Sequence, residues 1–241
     1  MGKELEICKE WIAQCENIVF FGGAGVSTES SIPDFRSTDG LYYQEYAYPP
    51  ETILSHSFYR KNPEEFYRFY HKKMLYPKAE PNDAHKALAK LEEMGKLRAV
   101  ITQNIDGLHQ KAGSREVLEL HGSVLRNYCE GCGKFYGLDA IMQAEGVPRC
   151  SCGGIIKPDV VLYEEGLDQD ILSRSVSHIR NADMLIVGGT SLTVYPAAGL
   201  IDYYTGNKLV VINKTPTPRD GYADLLIADK IGKVFREVMG D

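Results

Sequence analysis

No apolar run in this chain approaches the roughly 20 residues that a membrane-spanning helix needs. Positive charge is also in deficit: 27 Lys and Arg stand against 33 Asp and Glu, a formal net charge of −6. That balance argues against broad contact with nucleic-acid phosphates or an anionic bilayer, so direct nucleic-acid binding is not expected. It is compatible with a basic peptide. The opening Met1-Gly2-Lys3-Glu4-Leu5-Glu6 has acids where a signal peptide carries a basic segment and an apolar stretch. Glu6 stands where a myristoylation signal has Ser or Thr. There is no internal repeat and no low-complexity tract. The expectation from these absences is a soluble, cytoplasmic protein, taken as a monomer.

What is present suits one large domain with a satellite. Hydrophobic residues make up 44% and charged residues 25% of the 241, an ordinary globular balance with enough apolar material for a sizeable core. Leu5, Cys8, Trp11, Ile12 and Cys15 recur at helical spacing, which predicts an opening amphipathic helix with both cysteines on its buried face. Ile18–Phe21 is a short continuous apolar run, the pattern of a strand buried on both faces. Similar runs recur at Ala99–Thr102, Val160–Leu162, Met184–Val187, Leu209–Ile212 and Leu225–Ile227. Helices fit between most of them, including Ala84–Met94 and Ile231–Met239. Strands alternating with helices predict an α/β fold, a Rossmann-like parallel sheet covered on both sides. Residues 1–39, 84–124 and 158–241 are assigned to it. A Tyr- and Pro-rich insertion (40–83, helical around Pro63–Leu75) and a cysteine-bearing module (125–157) are assigned to a smaller domain.

Four of the six cysteines cluster as Cys129-x2-Cys132 and Cys150-x-Cys152. Four thiolates with no vacant position make a closed, structural zinc site. A redox pair is the competing reading, and the second pair of cysteines favours zinc, although the Cys150-Ser151-Cys152 spacing is tight. Elsewhere, polar residues gather where apolar runs end. Gly22, Gly23 and Gly25 follow the first run and suit a tight turn against a phosphate. As a dinucleotide fingerprint the segment is incomplete, because Thr28 occupies the third glycine position, and alone it is equally a plain turn. Ile32-Pro33-Asp34-Phe35-Arg36 follows. Thr102-Gln103-Asn104-Ile105-Asp106 leaves the second strand with groups suited to ribose hydroxyls and a carboxamide, or to turn and cap duty. His121 ends another apolar run and offers a proton acceptor near neutrality. Gly188-Gly189-Thr190-Ser191 and Asn213-Lys214 end two more. Four strand ends therefore direct polar groups at one rim.

In their order, Gly23-Ala24-Gly25-Val26-Ser27, Pro33-Asp34-Phe35-Arg36, Thr102–Asp106, His121-Gly122, the four cysteines and Gly189-Thr190-Ser191 resemble the sirtuin family over nearly the whole chain. The resemblance implies an NAD-dependent protein-lysine deacetylase acting on acetylated proteins or peptides and yielding nicotinamide and O-acetyl-ADP-ribose. It implies that Gly23, Ala24, Gly25, Thr28, Asp34, Phe35 and Arg36 lie near the phosphates and nicotinamide ribose of NAD. Gln103 matches a ribose contact, and Asn104, Ile105 and Asp106 the nicotinamide pocket. Gly189, Thr190, Ser191, Asn213, Lys214 and Ile231 match the adenosine side. His121 matches the catalytic histidine, with Asn104 beside it. Val161, Leu162, Tyr163 and Val194 match the acyl-lysine channel, and the cysteines a zinc site. Two departures stand out: Tyr163-Glu164-Glu165 replaces the usual Phe-Gly-Glu, and the second cysteine pair is more closely spaced than usual. Glu65–Lys73 lacks the Tyr-x-x-Arg pair of those sirtuins that prefer acidic acyl groups, which implies an apolar acyl pocket. A mono-ADP-ribosyltransferase, a deacylase of other uncharged acyl groups and a non-enzymatic NAD sensor are the alternatives.

Overall fold

Residues 2–34 and 48–240 are described by the computed structural model of the chain. Phe35 and Arg36 lie outside the described residues. Among the described residues, nine strands form two sheets. β1 (Ile18–Gly22), β2 (Leu97–Thr102), β3 (Val117–Glu119), β7 (Met184–Gly188), β8 (Leu209–Ile212) and β9 (Leu225–Ile227) make a parallel sheet in the order β3-β2-β1-β7-β8-β9. β4 (Gly122–Cys129), β5 (Phe135–Tyr136) and β6 (Ile156–Val160) make a small antiparallel sheet with β4 in the middle.

The continuous apolar runs become strands because both faces of the parallel sheet are covered. Along β1, Ile18 and Phe20 pack into one core, while Val19 and Phe21 pack into the other. The first core is closed by α1 (Gly2–Gln14), α5 (Asp83–Glu93) and α9 (Ile231–Met239). The second is closed by α8 (Gln169–Asn181) and the 3-10 segment Ala197–Tyr203. Cys8 and Cys15 are buried in the first core, as the spacing predicts, and burial pushes the Cys8 thiol up to about 12.

The 48–83 stretch folds as α2 (Pro50–Ile53), α3 (His56–Lys61) and α4 (Pro63–Lys73). Asn62 caps α4 by accepting from Glu65 N–H, and Pro63 opens it. Its Phe66, Tyr67, Phe69 and Tyr70 are fully buried in a third core, together with Val124, Ile156 and Val160. One strand expectation is corrected here. The Val160–Leu162 run does not enter the parallel sheet; its strand is Ile156–Val160, antiparallel to β4, and residues 161–163 continue as an extended segment. The parallel sheet instead takes Val117–Glu119 as its outer strand.

β1 is the switch point: the chain runs outward from it through β2 and β3, and later returns on its other side through β7, β8 and β9. The crevice beyond the carboxyl ends of β1, β2 and β7 is where an open α/β sheet receives its ligand.

Candidate active site

A cavity of about 1610 Å³ opens at that switch point. Its lining brings together Ala24, Gly25, Thr28 and Asp34 after β1, Gln103–Asp106 after β2, and His121 at the start of β4. Gly189, Thr190 and Ser191 enter from β7, Asn213 and Lys214 from β8, and Ile231 from α9. Val161, Leu162, Tyr163 and Val194 line it too. Gly23 sits one layer behind, where an added Cβ would lie 2.8 Å from Thr190 Cβ.

Two glycines let the loops meet. Gly25 N–H donates to Gly189 O at 2.7 Å, and a Cβ on Gly25 would fall 2.8 Å from that same oxygen. Gly189 is left-handed (φ 58°), and a Cβ there would collide with Val26 N. Backbone therefore lies directly against backbone at the base of the crevice, with no side chain between the two loops.

A chain of hydrogen bonds runs along the same cavity. Asn104 Nδ2 donates to Ser27 Oγ (3.1 Å), and Ser27 Oγ donates to Asp106 Oδ2 (2.6 Å). Asp106 Oδ1 accepts from Leu108 N–H at 2.9 Å, which fixes the carboxylate at the start of α6 (Leu108–Ala112). Burial raises the Asp106 pKa, and the bonds from Ser27 and Leu108 pull it back. The sequence gives Ser27 no separate role within its glycine segment. It was legible only as part of the glycine segment, because its partners lie 77 and 79 residues away.

His121 is oriented from the other side. Its Nδ1 lies 3.0 Å from Gln103 O, an acceptor that places the ring proton on Nδ1 and leaves the Nε2 lone pair as the base. Burial holds its pKa below the ordinary histidine value against the opposing pull of that carbonyl, so the ring is neutral at pH 7. Gln103 also donates from Nε2 to Thr190 Oγ1 (3.2 Å), tying the β2 and β7 ends together. His121 O accepts from Val161 N–H at 3.0 Å, which sets the 161–163 wall beside the base. Tyr163 is held on its far side by Leu54 O and His56 N. The next residue, Glu164, is left-handed (φ 77°), a backbone conformation that favours glycine. Its carboxylate accepts from Ser57 N–H and Ser57 Oγ, both at 2.9 Å, and this anchors the strained residue to α3.

The four clustered cysteines stand between His121 and the 161–163 wall in sequence, with all four Sγ atoms within 4.8 Å of one another. The Cys129–Cys152 and Cys132–Cys150 sulfurs are 3.4 and 3.7 Å apart. A tetrahedron of Zn–S bonds near 2.3 Å has edges of about 3.8 Å, so the cluster fits zinc and is far too open for disulfides of about 2.05 Å. The Tyr136 hydroxyl donates to Cys150 Sγ at 3.0 Å, the kind of outer hydrogen bond that orients a thiolate ligand.

A doubly wound sheet with glycine turns at its switch point, a half-buried neutral histidine in the same cavity and a four-cysteine module defines an α/β nucleotide-using enzyme. The Sir2 family profile matches residues 23–196. The NAD-dependent protein deacetylases of Clostridium perfringens and Clostridium acetobutylicum are each 59% identical to this chain. They align over 99% and 96% of it, and over 100% and 96% of their own lengths. The chain belongs to the Sir2 family. Among solved structures, one described as Sir2–p53 peptide–NAD+ is similar at 41% identity and a TM-score of 0.87, covering 98% of this chain and 97% of its own. A Sir2 variant with deacetylated p53 peptide and 3'-O-acetyl ADP ribose is similar at 40% identity and a TM-score of 0.90, with the same coverages.

Proposed function

We infer that this chain is an NAD-dependent protein-lysine deacetylase, releasing nicotinamide and O-acetyl-ADP-ribose, and that the rim around His121 is where it acts. The observation that carries the assignment of the rim is the His121–Gln103 bond. It leaves a neutral imidazole nitrogen as proton acceptor in the same cavity as the Asn104–Ser27–Asp106 chain. NAD fits the residues present: the cavity exceeds the roughly 300–1,000 Å³ of ordinary ligand sites, and Gly25 and Gly189 keep its base clear of side chains where the phosphates would lie. Ala24, Gly25, Thr28 and Asp34, with Phe35 and Arg36 following in the chain, would hold the phosphates and the nicotinamide ribose. Gln103, Asn104, Ile105 and Asp106 would hold the remainder of that half. Gly189, Thr190, Ser191, Asn213, Lys214 and Ile231 would hold the adenosine.

When bound, NAD supplies a ribose that takes over the acetyl group with nicotinamide as leaving group. The protein's part is positioning and proton transfer. Val161–Tyr163 and Val194 flank the acetyl-lysine. His121 accepts a proton from a sugar hydroxyl, and Gln103 O keeps the resulting imidazolium oriented. Asp106 and Asn104, linked through Ser27, present a polar pocket to the departing carboxamide.

We assign the NAD-binding domain to residues 1–39, 84–124 and 158–241, and the small domain to the helical insertion 40–83 and the zinc-binding module 125–157. The net charge of −6 supports basic peptides as partners and opposes nucleic acid. Among the described residues no helix is long and apolar enough to cross a membrane. Action as a cytoplasmic monomer belongs to the same proposal.

The test is NAD with one peptide in acetylated and unacetylated form. Nicotinamide release that requires the acetyl group supports the reading; ADP-ribose transfer to the unacetylated peptide at equal rate would replace it with a mono-ADP-ribosyltransferase.

A further inference from the structure

The loop that leaves β1 is gripped from two directions by residues that stand outside the motifs. On one side is Asn82, the N-cap of α5. Its Nδ2 donates to Val26 O at 2.8 Å and to Ser30 Oγ at 3.0 Å, while its Oδ1 accepts from Ala84 N–H. On the other side is the start of α9. Glu29 Oε2 accepts from Gly232 N–H at 2.7 Å across 203 residues of sequence. Gly232 is buried, and an added Cβ would come within 2.7 Å of that carboxylate oxygen, so a glycine is what admits the side chain. The two helices are themselves joined, because Arg236 Nε of α9 donates to Asp83 Oδ2 of α5 at 2.7 Å. The circuit closes: loop, Asn82, Asp83, Arg236, Gly232, Glu29, loop.

We propose that Glu29 is a positioning residue for the cofactor, holding the Ala24–Ser31 loop in its NAD-binding shape through the first turn of α9. This rests on the assignment of that loop to NAD. Glu29 carries a negative charge into a cavity meant for a pyrophosphate, which by itself opposes binding. Its carboxylate is instead committed to an orphan N–H at the positive end of a helix, where a negative charge is favourable. Ser31, two residues on, is left-handed (φ 64°), so the loop has a shape that an unclamped chain would leave readily. A loop fixed before the ligand arrives spares the ligand the entropy of ordering it. The benefit falls on cofactor affinity and not on the chemical step.

The experiment is a double-mutant cycle on Glu29→Ala and Gly232→Ala, with Glu29→Gln as the conservative variant, read by steady-state kinetics and by hydrogen exchange of the 26–31 amides. Losing a charge-assisted hydrogen bond should raise KM for NAD by roughly tenfold in Glu29→Ala. Turnover at saturating NAD and KM for acetyl-peptide should stay within about twofold. Gly232→Ala should do the same by displacing the carboxylate. The double variant should be no worse than either single one, since both remove the same contact. Glu29→Gln, which keeps an acceptor oxygen, should recover most of the affinity, and exchange should rise in both alanine variants. Additive effects in the double variant, or an unchanged KM for NAD in Glu29→Ala, would overturn the proposal; Glu29→Ala alone decides it if Gly232→Ala does not fold. Misassignment of the active-site rim shows up separately, as full activity in a His121 variant.

Discussion

His85 gives the fold a pH dependence that can be worked out in advance. It is fully buried in the first turn of α5, and its Nδ1 accepts from Asn82 N–H at 3.3 Å to complete the capping box. Its ring lies 4.7 Å, centroid to centroid, from that of the equally buried His109. Burial pushes the His85 pKa down from 6.5 to about 4. The unfolded chain therefore binds a proton that the folded chain refuses throughout that interval, and stability must fall as pH drops from 6.5 towards 4. A shift of that size corresponds to about 3 kcal/mol once both states are protonated, of which about 2 kcal/mol is lost between pH 7 and pH 5. Protonation also turns Nδ1 into a donor facing the Asn82 N–H, so the cap is lost with the charge. Trp11, the chain's single tryptophan, packs on the same core and reports its unfolding in urea. His85→Asn keeps an acceptor near the Nδ1 position and removes the titration. Its stability should start lower at pH 7 yet fall by about 2 kcal/mol less than the native protein's on going to pH 5. Parallel losses in the two proteins would refute the reasoning.

Asp106→Asn keeps the pocket's size but replaces the carboxylate that receives the Ser27 and Leu108 bonds; nicotinamide should inhibit the native enzyme markedly more than the variant, measured by titration at fixed NAD. Metal analysis should find one zinc per chain, and Cys129→Ala should lose it together with thermal stability of the small module and, indirectly, activity. Acetyl-lysine should exceed succinyl-lysine by roughly 100-fold in kcat/KM on one peptide, because an unpaired carboxylate in an apolar channel costs several kcal/mol. Tyr67 and Tyr70 are buried, and Arg68 is 71% exposed beside Glu65; Lys73 lines the cavity but lacks the guanidinium fork that grips a carboxylate in two places, and a succinyl preference would point to Lys73 or Arg68 as the cation.

The parts of the fold that were legible in the sequence are those whose cause is local. Ile18–Phe21 reads as a doubly buried strand because every residue in it is buried, and the glycines after it read as a turn because the backbone crosses another loop there. The four cysteines carried their own spacing. The Val160–Leu162 run does not mark a strand of the parallel sheet, because apolar character alone does not distinguish a doubly buried strand from the end of an antiparallel one. The alternation that marks a half-exposed antiparallel strand lies upstream, in Ile156-Lys157-Pro158-Asp159-Val160, where buried and partly exposed residues alternate. At the site, His121 and Asn104 could be named from their places at strand ends, but their orientation could not. It depends on Gln103 O and on Ser27 Oγ, contacts formed only when β1, β2 and β4 have been brought together. Glu29 and Gly232 are further still from legibility, since neither belongs to a motif and they meet across almost the full chain.

The central claim is that the neutral imidazole held by Gln103 O is the base of the deacetylation. The most direct measurement is turnover of one acetylated peptide by the native protein and by His121→Ala, alongside NAD affinity by calorimetry. Loss of general-base catalysis should lower kcat by about 10²–10⁴-fold while the dissociation constant for NAD stays within a few-fold. Turnover near the native rate in His121→Ala, with NAD still bound, would contradict the account.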